Sequence, residues 1–269
     1  MRKTLFFFFL LLCVCCEETS SDAKDAVDEK IPLVNKEDNK DKAPAPPTFS
    51  NDFIMGKFNP ETDDLFEEVP QQYSSRRGLY MHKEAMKAFL EMADAARADG
   101  INFKVVSAAR NFFRQKQIWE AKWNGSRLVG GKNLSKTIKD PVQRALKILE
   151  FSSMPGTSRH HWGTDIDLNA LENSYFEKGQ GKKEYEWLIN NAKAFGFCQT
   201  YTALGVERPH GYQEEKWHWS YKPIAFHITQ AARNQISNDS IVGFKGAETA
   251  KDIDVVNKYI LGINPSCNH

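Results

Sequence analysis

Residues 152–169 read SSMPGTSRHHWGTDIDLN, and the alternation at the end of this stretch decides what the surrounding chain can be. In GTDIDL polar and apolar residues alternate with a period of two. This predicts a short strand with Asp165 and Asp167 on one face and Ile166 and Leu168 on the other. Two carboxylates on one strand face are unfavourable unless something cationic offsets them. That motivates a metal ion beside His160, seven residues before Asp167. His161 and Trp162 read as packing residues.

A second stretch, GYQEEKWHWSY at 211–221, supplies what the first lacks. Its strand portion puts Lys216, His218 and Ser220 on one face and an aromatic stripe of Trp217, Trp219 and Tyr221 on the other. The stripe reads mostly as core, with room for one aromatic at a cleft rim. Glu215, at the strand entrance, is placed to approach a metal-activated water without being a ligand, as a general base requires. Seven histidines are present and no His-Glu-x-x-His occurs, so the common zinc-protease helix is absent. Two histidines and a carboxylate still make a catalytic zinc site with a fourth position for water. Of the remaining histidines, His210 has a loop context and His227 a helix face, while His82 and His269 read as surface or terminus.

Around these stretches the periodicity predicts a helix over 82–98, a strand in INFKVVSAAR ending near Arg110, and a helix over 112–123. Residues 126–157, with a helix over 141–150, read as an insertion covering a site rather than a core element. Further helices are expected over 183–195, 223–234 and 248–261. Without regular βαβ spacing or a Gly-rich phosphate loop, the fold class is α+β, a small antiparallel sheet flanked by helices.

Of the 269 residues, Lys and Arg number 36 against 35 Asp and Glu, which gives no nucleic-acid footprint. Arg2 and Lys3 precede an apolar run too short to span a bilayer, so 1–16 reads as an export signal. Cys16 is the preferred lipid anchor, with Cys15, Cys13 and plain secretion left open. Residues 17–50 are a polar, Pro-rich tether, and 51–269 the folded domain with its core at about 80–235. In an exported protein Cys198 and Cys267 fit a disulfide and two free thiols equally well.

Ser158-x-His160-x-x-Gly163-x-x-x-Asp167 together with Glu215-x-Trp217-His218 resembles the paired signature of zinc D-alanyl-D-alanine carboxypeptidases of the vancomycin-resistance type. That group is shared with L,D-carboxypeptidases, murein endopeptidases and hedgehog signalling domains, and the resemblance runs from about Tyr80 to Tyr221. It implies a hedgehog/D,D-peptidase-like fold, Zn2+ held by His160, Asp167 and His218, and Glu215 as catalytic base. It also implies that Arg110 grips a substrate carboxylate or carbonyl, with Gln115 in support and Ser158 on the substrate side. Asp165 departs from the family's usual Ala. It stands as an extra anion that tunes the bound water, binds a substrate amine or does nothing measurable. The implied partner is a peptidoglycan stem peptide ending in D-Ala-D-Ala, at the bacterial cell envelope, with the membrane touched only through the lipid anchor. L,D-carboxypeptidase, murein endopeptidase and a non-catalytic wall-binding lipoprotein are the alternatives, and the oligomeric state is open.

Overall fold

Helix α1 (Asn51–Ile54), capped by the Ser50 side chain, lies near the start of residues 47–268, the part of the chain that this computed structural model describes. The expected signal, the Cys16 anchor, most of the tether and His269 lie outside the described residues. Strands β1 (Phe66–Glu68) and β2 (Tyr80–His82) form a small antiparallel pair. Helix α2 (Lys83–Ala98) follows at once. Its apolar residues recur at three- and four-residue spacing, and Ala85, Met86, Phe89, Met92, Ala93 and Ala96 are all buried. His82 caps it, its side chain accepting from the Glu84 N–H, so His82 is a buried cap and not a surface residue.

Strand β3 (Val105–Ser107) leads into α3 (Phe112–Asn124), which Asn111 caps and Gly125 ends in the left-handed region at φ 81°. Helices α4 (Leu134–Thr137) and α5 (Pro141–Leu149) come next, then β4 (Asp165–Leu168) and α6 (Gly179–Asn191). Strands β5 (Phe197–Gln199) and β6 (His218–Tyr221), helix α7 (Lys222–Gln235) and the short α8 (Ala250–Ile253) complete the described elements. The main sheet has the order β3-β4-β6-β5, every pair antiparallel. Its register sets Asp167 opposite His218 and Asp165 opposite Ser220.

The alternation of β4 sorts the sheet into two faces. Val105, Ile166, Leu168, Phe197 and Trp219 enter one core with Phe89 and Met92 of α2 and Leu188 of α6. A second core joins α1, α3, α5, α7 and the C-terminal segment around Trp119, Trp123, Ile148, Leu149, Ile228 and Val255. Asp165, Asp167, His218 and Ser220 occupy the polar face, bonded to α7 through the Arg159 contact with Thr229.

Three further readings are corrected. Residues 126–157 are not merely a cover, because Leu134, Ala145, Ile148, Leu149 and Met154 are fully buried in the second core; Arg127 and Phe151 to Ser153 are the part that lines the cleft. The helix expected over 248–261 is broken at Asp254, whose φ of 59° is left-handed and whose carboxylate accepts from Asn238 and Asn257. Trp217 lies ahead of β6 and lines the cleft, with its ring 6.4 Å from that of Phe151, and so is the one aromatic of the stripe that reaches the cleft. Lys216 turns away from the site to pair with Glu177 at 3.5 Å. Cys198 and Cys267 form a disulfide, with Cα atoms 5.7 Å apart, that ties β5 to the turn at 265–267.

Candidate metal centre and active site

The turn carrying His160 ends at Gly163, which has φ 69°. A Cβ there would strike the Phe66 ring and come within 2.8 Å of the His82 nitrogen, so glycine is required to bring the turn back onto the sheet. His160 Nδ1 lies 3.0 Å from the Ala108 carbonyl, an acceptor only, which makes Nδ1 the protonated nitrogen. Its Nε2 is left facing Asp167 Oδ2 at 3.3 Å. His218 is arranged the other way round, with Nε2 2.9 Å from Asp165 Oδ2 and Nδ1 3.0 Å from Asp167 Oδ1. The two imidazoles are nearly perpendicular, with centroids 4.8 Å apart.

The ligand atoms of His160, Asp167 and His218 all lie within 4.8 Å of one another. A tetrahedral ion with bonds of roughly 2.0–2.2 Å needs donors about 3.3 Å apart, and Asp167 stands near that spacing from both histidines, 3.3 Å from His160 Nε2 and 3.0 Å from His218 Nδ1. Each histidine has its outer nitrogen engaged by a fixed acceptor, which orients the inner one. The residues therefore fit a zinc-type ion.

Charge is handled group by group. Burial pushes the Asp167 carboxyl up, but hydrogen bonds and charge from His160 and His218 hold it well below the usual carboxylate range. Burial acts on His218 in the opposite sense, yet Asp165 and Asp167 draw it up to about 9 in the metal-free protein. Burial, with the Asp167 charge, pushes Glu215 up to about 8 against the pull of His218 and Arg110. Its Oε2 lies 3.4 Å from His218 Nδ1. Arg110 donates from Nη1 to Ser107 Oγ at 2.5 Å and from Nε to Gln115 Oε1 at 3.2 Å, and its Nη1 is 3.9 Å from Asp167. Gln115 in turn donates to the Ser153 carbonyl at 2.7 Å, so it props the guanidinium from behind. Ser158 Oγ is buried at the cleft wall and has no partner among the described residues. The cleft above these groups encloses about 590 Å³.

His161 is not a ligand. Burial pushes it down to about 3, and it donates to the Arg110 carbonyl at 2.6 Å while accepting from the Gly156 N–H at 3.1 Å. Asp165 is fully buried and takes Arg159 Nε at 2.9 Å, Ser220 Oγ at 2.7 Å and Thr164 Oγ1 at 2.9 Å besides His218. No substrate amine reaches it; it fixes the outward nitrogen of His218. Arg159, Tyr201 and Tyr212 are the residues that the sequence reading passed over. Arg159 had a signal, as the one cation beside two strand carboxylates. Tyr201, whose ring lies 4.6 Å from His218, sits in a loop without periodicity and had none.

Two histidines and an aspartate on a small antiparallel sheet, with a raised-pKa glutamate beside them, are an arrangement that could hold a metal ion and activate a water, as a metallohydrolase requires. The family model of D-alanyl-D-alanine carboxypeptidases, VanY, matches residues 78–224, and the chain belongs to that family. A D-alanyl-D-alanine carboxypeptidase of Enterococcus faecalis is 30% identical over 134 residues, covering 50% of this chain and 45% of the relative. The Bacillus subtilis protein YodJ is 29% identical over 164 residues, 60% of this chain and 51% of that protein. The chain thus spans about half the length of the curated relatives it matches. Among solved structures, a vancomycin-resistance VanY D,D-pentapeptidase in complex with Zn(II) is 26% identical, with a TM-score of 0.42 over 58% of this chain and 83% of that one. The LdcB LD-carboxypeptidase is 22% identical, with a TM-score of 0.46 over 76% and 81%.

Proposed function

We propose that this protein is a zinc-dependent peptidase of the bacterial cell envelope that removes the terminal D-alanine from peptidoglycan stem peptides ending in D-Ala-D-Ala. The observation that carries the reading is the convergence of His160 Nε2, Asp167 and His218 Nδ1 with Glu215 and Arg110 at the floor of one cleft. Zinc held there would polarise the scissile carbonyl and render a water acidic enough to attack at neutral pH. Glu215 takes that water's proton and hands it to the leaving amine. A carboxyl drawn up towards neutrality suits both directions of transfer. Arg110, held by Ser107 and Gln115, aims a planar donor at the developing oxyanion or the terminal carboxylate. Ser158 Oγ, otherwise unpartnered, donates to the substrate carboxylate. A binding protein without catalysis has no use for a buried glutamate set against the metal ligands. An export signal ending at Cys16 would place the enzyme on the envelope.

The test is incubation of the zinc-loaded protein with defined muropeptides, followed by product masses. Loss of one alanine from a pentapeptide is expected. Shortening only of tetrapeptides assigns L,D-carboxypeptidase activity, and opened cross-links assign an endopeptidase. No turnover by a folded, zinc-loaded sample rejects the peptidase reading.

A further inference from the structure

The cleft carries more positive charge than one terminal carboxylate requires. Five cationic side chains line it, Arg76, Arg110, Arg114, Lys122 and Arg127, in a chain whose net charge is only +1. The carboxylates lining the same cleft are Asp167, Glu172 and Glu215, and two of these belong to the reaction centre. Among the described residues, Arg110 is the one of the five with a carboxylate within 4.0 Å, and that carboxylate is the candidate ligand Asp167. Lys122 is the most telling. It projects from α3 into the cleft, is half-buried, and its ammonium donates to the Ser152 hydroxyl instead of to an acid.

Burial, with Arg127 and Arg110 near by, pushes the Lys122 ammonium down to about 8. A charge held this way disfavours the free protein and becomes favourable when a ligand brings an anion. Arg127, exposed just beyond the end of α3, adds a second cation on the same side. Glycans and neutral peptide backbones have no need of such a pair.

We propose that Lys122 and Arg127 form a second anion subsite, so that the preferred ligand is a peptide with a free carboxylate besides its terminal one. This rests on the peptidase reading and names its substrate class. In a stem peptide the extra carboxylate comes from a diaminodicarboxylic acid in place of lysine at the third residue, or from an unamidated γ-linked glutamate at the second.

The experiment uses the zinc-loaded protein and four synthetic pentapeptides ending in D-Ala-D-Ala, with lysine or diaminopimelate third and a free or amidated glutamate second. The expected result is a KM lower by on the order of tenfold for one carboxylate position, the worth of one charge-assisted hydrogen bond. The position that shows the gain identifies the source. Lys122→Met and Arg127→Gln are expected to erase the gain and leave the least anionic peptide unchanged. Lys122→Met is also expected to raise the melting temperature, which separates lost binding from lost folding. Equal KM for all four peptides, or an equal loss on all four in the variants, overturns the subsite while the peptidase reading stands. If none is cleaved the D,D-carboxypeptidase reading falls, and calorimetric titration of the same peptides decides the subsite. Tighter binding of the carboxylate-bearing peptides supports it, and equal binding overturns it.

Discussion

The two faces of β4 and β6 are equally buried and opposite in what burial does to them. On one, Ile166, Leu168 and Trp219 are at most 2% exposed among the apolar residues of α2 and α6, and each contributes roughly 1.5–3 kcal/mol by leaving water. On the other, one residue out of phase, Asp165, Asp167 and His218 are no more than 5% exposed, and each must be matched to a partner. The apolar face makes the fold stable. The polar face is stable only because every group on it has a specific bond, and those bonds fix the orientation of the candidate ligand atoms.

The largest break in this contrast comes from His218→Ala, which removes a candidate ligand. Zinc in the purified protein is expected to fall to background with turnover lost, read by metal analysis and muropeptide assay; normal zinc content would reject the ligand assignment. Glu215→Gln sharpens it, with kcat expected to fall by roughly 10²–10⁴ while zinc is retained. Retained turnover would remove Glu215 as the base. Leu168→Ala acts on the apolar face alone, and denaturant unfolding is expected to show a loss of about 2–5 kcal/mol. A loss under ~1 kcal/mol would mean that this face does not carry the stability assigned to it. Asp165→Asn keeps the shape but weakens the hold on His218 Nε2, and chelator competition is expected to show zinc affinity reduced by about 10–100-fold.

The smallest effect is on pH dependence, measured without metal. The Glu215 carboxyl stands at about 8 in the folded state against an ordinary 4.5. Between these values the folded protein keeps a proton that the unfolded chain releases, so stability falls as pH rises from about 4.5 to about 8. Glu215→Gln should flatten this slope by at least ~1 kcal/mol across the window; parallel pH profiles for the two proteins would show that Glu215 is not strained by burial.

Much of the site was legible in the chain because strand parity is local. Asp165 and Asp167 two apart, and His218 and Ser220 two apart, must share a face in any strand, and the required residue types left few other ligand sets. The helices over 83–98, 112–124 and 222–235 were legible for the same reason, since their three- and four-residue spacing is written in consecutive residues. The β1–β2 pair and β5 escaped because a three-residue strand carries too little period to be seen unless, as in INFKV leading into β3, the alternation continues into its flank.

Residue order alone thus determined the α+β class and put His160, Asp167, Glu215 and His218 forward as candidates by parity and chemical type, while their roles as ligands and base are what the resemblance to the carboxypeptidase family implies. The role of Asp165 depended on Arg159 meeting Thr229 and Ser220, 70 and 61 residues away, and so arose only when α7 and β6 packed against the turn. The Cys198–Cys267 bond, 69 residues long in sequence, and the gathering of Lys122 and Arg127 at the cleft have the same origin. Burial and partnership are properties of a folded neighbourhood, and they turned an extra carboxylate into the support of a ligand and an ordinary lysine into a charge awaiting an anion.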